Sequence, residues 1–204
     1  MGKYRHTLSL GVEDKEFDND VTVGGGGVSI TPDIRSRPLT LSYAGRYPWS
    51  RANLAFDITF AANLDGGSTN SASDYASSRL GAAQDWKLLR LGISGDYLFS
   101  NGWMLRASAR GQYSGEPLIN GEQFGVGGAY TVRGFDEREV AGDSGYHVSG
   151  EIWAPRLPYN IRLLGFVDQG GWDYEKPYPA ESGRGSLSSI GLGLRWAWKR
   201  RVGL

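Results

Sequence analysis

The residues best able to do chemistry are Val132-Arg133-Gly134-Phe135, in the middle of a long glycine-rich segment. Loops usually keep cationic and apolar residues apart, yet this arginine stands between a valine and a phenylalanine that no local strand could bury. In a loop that folds inward, the guanidinium needs an anion and its apolar neighbours need a wall. The tetrad therefore predicts an inward loop whose arginine meets a carboxylate.

Composition narrows the class of protein that could hold such a loop. The 204 residues suffice for one or two domains. The 22 Lys+Arg residues balance the 22 Asp+Glu residues, so the chain has no net positive charge that would attract nucleic acid. The chain has no cysteine, which excludes disulfides, thiolate metal sites and cysteine nucleophiles. It has 31 glycines and 12% aromatic residues but no apolar run of the ~18 residues that a membrane helix needs. An all-β fold is predicted.

Alternation of apolar and polar residues predicts eight strands. In one run, for example, Leu54, Phe56 and Ile58 alternate with Asp57 and Thr59. Such alternation places one side-chain type on each face of a sheet. We expect antiparallel strands, each paired with its neighbours in sequence, over residues 7–13, 38–46, 54–62, 87–97, 103–113, 146–154, 161–169 and 188–198.

The length of these runs favours a membrane barrel over the alternative, a soluble sandwich or barrel. Soluble strands usually have ~5–6 residues, whereas a tilted membrane strand needs ~9–11. The connections alternate between short turns and long polar loops, as in outer-membrane barrels with short periplasmic turns and longer outer loops. The turns are predicted at 47–50, 99–102 and 156–160, and the loops at 14–36, 65–84, 114–145 and 175–186.

Aromatic residues near the strand ends predict girdles at the two membrane interfaces. They are Trp49, Tyr97, Trp103, Trp153, Trp196 and Trp198.

The polar faces of the strands predict a charged interior that holds water, a plug or both. Glu151 and Asp168 stand out in this inward file because the arginine of the long loop needs an acidic partner. The whole file comprises Arg90, Arg106, Arg110, Glu151, Arg162, Asp168 and Arg195.

Three motifs carry a family resemblance. Residues 124–137, with the Val-Arg-Gly-Phe tetrad, resemble the sixth outer loop of the two-partner secretion transporters, the haemolysin secretion/activation family ShlB/FhaC/HecB. In the superfamily that also holds the BamA-type insertases, this loop folds back into the barrel. Residues 149–155 resemble the following strand with its inward glutamate, and residues 165–171 resemble the next strand with its Phe-x-Asp-x-Gly pattern. The resemblance covers essentially the whole chain, most closely 119–172.

The resemblance implies roles for particular residues. Arg133 corresponds to the loop arginine, Asp168 to its partner on the barrel wall, and Glu151 lies one strand away on the same face. Together they are expected to fix the loop inside the barrel. Apolar contacts are expected from Val132, Phe135 and Phe166, and a close backbone approach at Gly134.

The resemblance also implies that the chain is one part of a larger protein. We expect residues 1–204 to form a single domain fragment, strands seven to fourteen of a monomeric sixteen-stranded barrel, with the tetrad on loop 114–145. The last two strands, the first six, a plug helix and the periplasmic POTRA domains are expected to lie outside it. No apolar segment follows Met1, so no signal peptide is predicted.

The function implied is a bacterial outer-membrane translocator. Its partners would be the surrounding lipid and an unfolded exoprotein of the haemolysin or adhesin type, which crosses through the barrel. The alternative is a BamA-like insertase that assembles other barrels.

Two further classes fit the residues less well. A plain diffusion porin would not require an inward tetrad. An enzyme in a barrel would need a catalytic constellation, but His6 and His147 are the only histidines and no Ser/His/Asp or paired-carboxylate set accompanies them. We expect no enzyme activity, no metal and no cofactor.

Overall fold

The structure is a computed structural model that describes residues 3–18, 33–179 and 182–197. In chain order its strands are β1 (Arg5–Val12), β2 (Lys15–Phe17), β3 (Ile34–Ser36), β4 (Pro38–Pro48), β5 (Ala52–Asn63), β6 (Lys87–Leu98), β7 (Met104–Ser114), β8 (Phe124–Val126), β9 (Val140–Gly142), β10 (Ser144–Trp153), β11 (Ile161–Asp173) and β12 (Arg184–Trp196). One short helix, α1, spans Ala72–Ser78.

The eight long strands form one antiparallel sheet in the order β1-β4-β5-β6-β7-β10-β11-β12. Each long strand pairs with the long strand before and after it along the chain, so the eight predicted strands and their pairing are confirmed. Two short hairpins, β2–β3 and β8–β9, lie in the long connections. The all-β antiparallel fold follows from the period-2 pattern of the sequence.

One face of the sheet is a continuous apolar surface. Leu192 keeps 91% of its surface exposed and Ile190 keeps 86%, which would be costly for a face turned to water. A face that is apolar along every strand matches the lipid-facing band of a membrane barrel. The same face carries Leu8, Leu10, Leu41, Ile58, Leu91, Ile93, Leu105, Val148, Ile152, Leu163 and Val167.

The opposite face is concave. A cavity of about 450 Å³ is lined by residues of five successive long strands and of the connection between β7 and β10. Since the apolar band covers the other face, this polar face with its cavity is the inner wall.

The largest extensions beyond the predicted bounds are in two strands. β11 continues to Asp173 rather than ending at 169, and β12 begins at Arg184 rather than at 188. Gly170 and Gly171 resemble turn residues in the sequence, but here they pair with His147 and Tyr146 of β10. The predicted end of β12 beyond residue 197, including Trp198, lies outside the described residues.

The predicted loop 65–84 contains helix α1, which the period-2 alternation of strands does not reveal. Ser71 caps the helix, because its side chain accepts from the backbone of Asp74 and the Asp74 carboxylate accepts from the backbone of Ser71. This reciprocal capping box is readable from the Ser-x-x-Asp spacing.

The expectation that Trp153 belongs to an interfacial girdle is wrong. Its side chain is only 4% exposed and its indole N–H donates to the Glu151 carboxylate at 2.8 Å. Because Trp153 and Glu151 are two positions apart on β10, they share the inner face. Trp49, Tyr97, Trp103 and Trp196 are exposed, as a girdle requires.

The long connections pack on an apolar core of their own at one end of the sheet. Trp86 and Tyr75 are fully buried there, and Asn63 holds the Tyr75 hydroxyl through a 3.0 Å hydrogen bond. No helix among the described residues is long and apolar enough to cross a membrane. The core also contains Ile34, Ala61, Ala82, Leu88, Leu118 and Ile119.

Candidate functional site: the inward loop and its anchors

The connection between β7 and β10, residues 115–143, is called the inward loop. The β8–β9 hairpin divides it into a loop base, residues 115–126 and 140–143, and a loop tip, residues 127–139. The tip lines the cavity of the inner wall through Ala129, Tyr130, Thr131 and Arg133. The tetrad therefore lies on a segment that folds back over the inner face of the sheet.

Arg133 and Asp168 form the central contact. Nε of Arg133 donates to Oδ2 of Asp168 at 2.6 Å, and Nη2 donates to Oδ1 at 2.7 Å. The backbone N–H of Arg133 also donates to Oδ2 at 3.2 Å. The two parallel side-chain bonds make a bidentate pair, which fixes direction as well as distance. The contact predicted between these residues is present, while its role in transport stays a prediction.

A second carboxylate completes the clamp on Arg133. Nη1 donates to Oε1 of Glu151 at 2.7 Å, and Nη2 donates to the hydroxyl of Ser149 at 3.1 Å. Ser149 in turn donates to Asp168 at 2.7 Å, and the guanidinium lies 3.6 Å from the centre of the Phe166 ring. The side chain of the loop arginine is therefore held by two adjacent strands, β10 and β11.

The strand register explains why these side chains converge. Ser149 lies directly opposite Asp168 across β10 and β11, and Glu151 lies directly opposite Phe166. Residues two apart on a strand share one face, so the four side chains form a square on the inner wall. Asp168 is fully buried.

The clamp raises the pKa of Arg133 above its ordinary value. The main cause is the hydrogen bond to Asp168; burial acts in the opposite direction, and Glu151 adds to the rise. The guanidinium is therefore a permanent cation. Proton transfer from Arg133 is excluded as the chemistry of this site.

Val132 is the apolar half of the tetrad. It is fully buried, and a Cβ placed on Gly170 would lie 3.0 Å from Val132 and 2.5 Å from Val126. The absence of a side chain at Gly170 thus lets Val126 and Val132 of the inward loop pack directly on β11, a role that the sequence did not indicate. Phe135 is half-buried.

The expectation that Gly134 permits a close backbone approach is wrong. A Cβ built there meets no atom within 4 Å, but its φ is +92°, a conformation that side chains rarely adopt. The requirement at this position is the backbone angle rather than space.

The loop base has a second buried anchor, centred on Asp143. Arg79, from the segment after α1, donates to its carboxylate at 2.7 and 3.2 Å, and the backbone N–H groups of Leu118 and Glu175 donate at 2.9 and 3.0 Å. Gln123 adds a bond at 3.2 Å. Arg79 and Asp143 are both buried. The hydrogen bonds of Asp143 join three long connections, because Arg79, Leu118 and Glu175 each lie in a different one.

Glu122 forms a third anchor in the loop base. Its side chain is 1% exposed and accepts from Lys15 at 3.1 Å and from Arg90 at 3.2 Å. Ser36 adds a bond at 3.3 Å. The loop base is therefore tied to β6 and to the β2–β3 hairpin independently of the tetrad.

The sequence singled out the clamp but not the two base anchors. Asp143 and Glu122 lie in predicted loop sequence, where an acid usually indicates a solvated turn. Arg90 was expected in the inward file without a named partner, and Lys15 and Arg79 stand in predicted loops where no pattern marks them.

The described residues contain no group of three His, Cys, Asp or Glu side chains that could hold a metal. The side chains that do converge are one guanidinium, two carboxylates, a hydroxyl and a phenyl ring. Such a set can position a loop, and it can exchange one ion-pair partner for another.

A curved antiparallel sheet with an apolar outer face and a loop folded against its inner face is typical of one class of proteins, the outer-membrane β-barrels. The model of one family, the haemolysin secretion/activation protein ShlB/FhaC/HecB, matches residues 35–196. The chain belongs to this family.

Relatives and solved structures agree with this assignment. Over 99 residues, or 45% of this chain and 16% of the relative, the chain is 35% identical to the outer membrane transporter CdiB of Escherichia coli O6:K15:H31. The fold is similar to CdiB from Acinetobacter baumannii (TM-score 0.69, 22% identity, 97% of this chain and 33% of that one) and to CdiB from Escherichia coli (TM-score 0.71, 18% identity, 95% and 36%). The chain thus spans about a third of each solved structure, and it is part of an outer-membrane protein.

Proposed function

We propose that the protein carrying this chain secretes a large partner exoprotein of the haemolysin or adhesin type across the bacterial outer membrane. The chain supplies part of the barrel wall and the loop that occupies the conduit. An unfolded polypeptide passes along the inner wall, after POTRA domains outside this chain have captured it on the periplasmic side.

The observation that carries the proposal is the clamp of Arg133 between Asp168 and Glu151. A barrel that only conducts small solutes has no need to hold a cationic loop tip against two strands of its wall. A conduit for a polypeptide must stay narrow when idle, and an ion pair can be released and restored without covalent change.

The stability of such a clamp depends on both partners remaining together. Removing one partner of a buried ion pair leaves an uncompensated charge, at a cost of about 3–5 kcal/mol. Asp168 is fully buried with the loop tip in place, so displacement of the tip breaks the three hydrogen bonds that Arg133 donates to it and turns its charge toward the lumen. We infer that the idle state has the tip inside and that transport displaces it.

An insertase that assembles other barrels is the second candidate, because its superfamily shares the inward tetrad. The match to the secretion family over residues 35–196 favours the transporter.

The experiment deletes the gene for the complete protein and measures two outputs, the partner exoprotein in the medium and the assembled outer-membrane barrels of the cell. The proposal expects loss of the secreted exoprotein with unchanged levels of the other barrels. Normal secretion combined with depleted barrels would replace it with the insertase.

A further inference from the structure

Three arginines of the inner wall converge on one tryptophan at the short-turn end of the sheet. The guanidinium carbons of Arg195, Arg106 and Arg162 lie 5.3, 5.7 and 5.7 Å from the centre of a Trp153 ring. They come from β12, β7 and β11, and the tryptophan ends β10. We call these four residues the arginine cluster.

No arginine of the cluster forms an ion pair with an acid in the part of the chain that the structure describes. The ion pairs found there involve other residues. Arg162 donates to two backbone carbonyls, of Ala154 and Gly102, which hold it in place without adding negative charge. Contact with the indole attracts each cation but leaves its charge unchanged.

The strand register brings two of these positive charges close together, and their repulsion costs free energy. Arg162 lies directly opposite Arg195 across β11 and β12, and like charges in that position repel each other. A free anion between them would relieve the repulsion.

The nearest acids form no ion pair with Arg106. Arg106 lies between Asp96 and Glu151 in the ladder. Asp96 accepts from the amide of Asn53 at 3.2 Å, while Glu151 accepts from Arg133 and from the indole of Trp153. Arg106 instead turns toward the indole and lines the cavity beneath the loop tip.

We propose that the arginine cluster is a contact site for carboxylate side chains of the extended polypeptide that passes through the barrel, an inference that rests on the proposed function. Guanidinium groups bind carboxylates in bidentate fashion, and Trp153 offers an apolar surface for the adjoining methylene groups. The cluster adjoins the short turns, which face the periplasm in outer-membrane barrels. It therefore meets an arriving chain before the loop tip does.

The test uses the complete purified protein in planar lipid bilayers and two synthetic peptides of equal length. One alternates glutamate with serine, and the other has glutamine at each glutamate position. With peptide on the short-turn side, the glutamate peptide is expected to block the current roughly tenfold more often than the glutamine peptide at low salt, and the difference is expected to shrink as salt rises.

Two variants locate the effect. The double variant Arg106→Gln/Arg195→Gln is expected to remove most of the preference for the glutamate peptide. Arg110→Gln is the matched control, because Arg110 is a second inward arginine on β7, four positions from Arg106, and it lies outside the cluster. Arg162 is left intact because its bonds to two carbonyls support the turn.

Equal blockade by both peptides would overturn the proposal. An acidic segment from elsewhere in the protein that already occupies the cluster would give this same result, and the proposal would be overturned in that case too. An equal loss of preference in Arg110→Gln would also overturn it, since the effect would then belong to the general charge of the interior. Blockade is measured without the exoprotein, so this result and the secretion result of the gene deletion can fail separately.

Discussion

The carboxylate of Asp168 holds the guanidinium of Arg133 through two side-chain hydrogen bonds of 2.6 and 2.7 Å, although the residues are 35 positions apart. One lies on a loop that leaves the sheet and returns, and the other on the inner face of β11. The pair therefore links the position of the loop to the wall of the barrel.

The first prediction concerns the coupling between these two residues. Arg133→Ala and Asp168→Ala should each release the loop tip and raise the frequency of open-channel events in planar bilayers. Because both break the same pair, the double variant should show little more than either single change. Additive effects of the two substitutions would mean that each residue acts through other contacts.

The second prediction separates the loop base from the loop tip. Asp143→Ala should leave Arg79 buried without its carboxylate and destabilise the packed outer loops by about 3–5 kcal/mol. Limited proteolysis of intact cells should then cut the long connections faster. Glu137→Ala is the control, since Glu137 is an acid of the same loop outside the buried nodes; equal protease sensitivity of the two variants would contradict the anchor.

The third prediction contrasts two glycines. Gly170→Ala should disturb the seating of the inward loop, because the new Cβ would lie 2.5 Å from Val126. Gly134→Ala meets no neighbouring atom but must adopt a φ of +92°, with strain of about 1–2 kcal/mol. Channel recordings should show a larger change of conductance for Gly170→Ala than for Gly134→Ala. The reverse order would show that packing of the inward loop on Gly170 is not what positions the loop.

The fourth prediction is a pH effect on α1. The hydrogen bonds with Ser71 lower the pKa of Asp74 from its ordinary value of 3.8. A lowered folded-state pKa contributes stability above the ordinary value, and that contribution is lost as pH falls through the folded-state pKa. The protection factors of residues 72–78 in hydrogen exchange should therefore fall below about pH 4. Asp74→Asn should exchange faster already at neutral pH, and identical profiles for the two proteins would contradict the capping box.

The strands could be predicted from local patterns, whereas the pairing of Arg133 with Asp168 was expected from the family resemblance of the three motifs. Alternation gives the faces of a strand directly, and the tetrad is an unusual arrangement that required a partner. The base anchors could not be predicted, because Arg79 and Asp143 are 64 positions apart and neither stands in a distinctive pattern. Trp153 was misplaced because an aromatic residue at a strand end is compatible with either face.

We infer that Arg133 positions the inward loop in the conduit without supporting the membrane fold. The outward apolar faces of the strands are untouched by Arg133→Ala, so barrel insertion should be retained. Arg138→Ala is the matched control on the same loop tip, since Arg138 is exposed and bonds to a backbone carbonyl of Asn120.

The most direct measurement compares secreted exoprotein in the medium with heat-modifiable barrel in the outer membrane, for the complete protein and both variants. We expect normal barrel levels in all three, secretion near wild type for Arg138→Ala, and secretion reduced several-fold for Arg133→Ala. Wild-type secretion from a normally inserted Arg133→Ala barrel would show that the position of the loop set by Arg133 is not needed for transport.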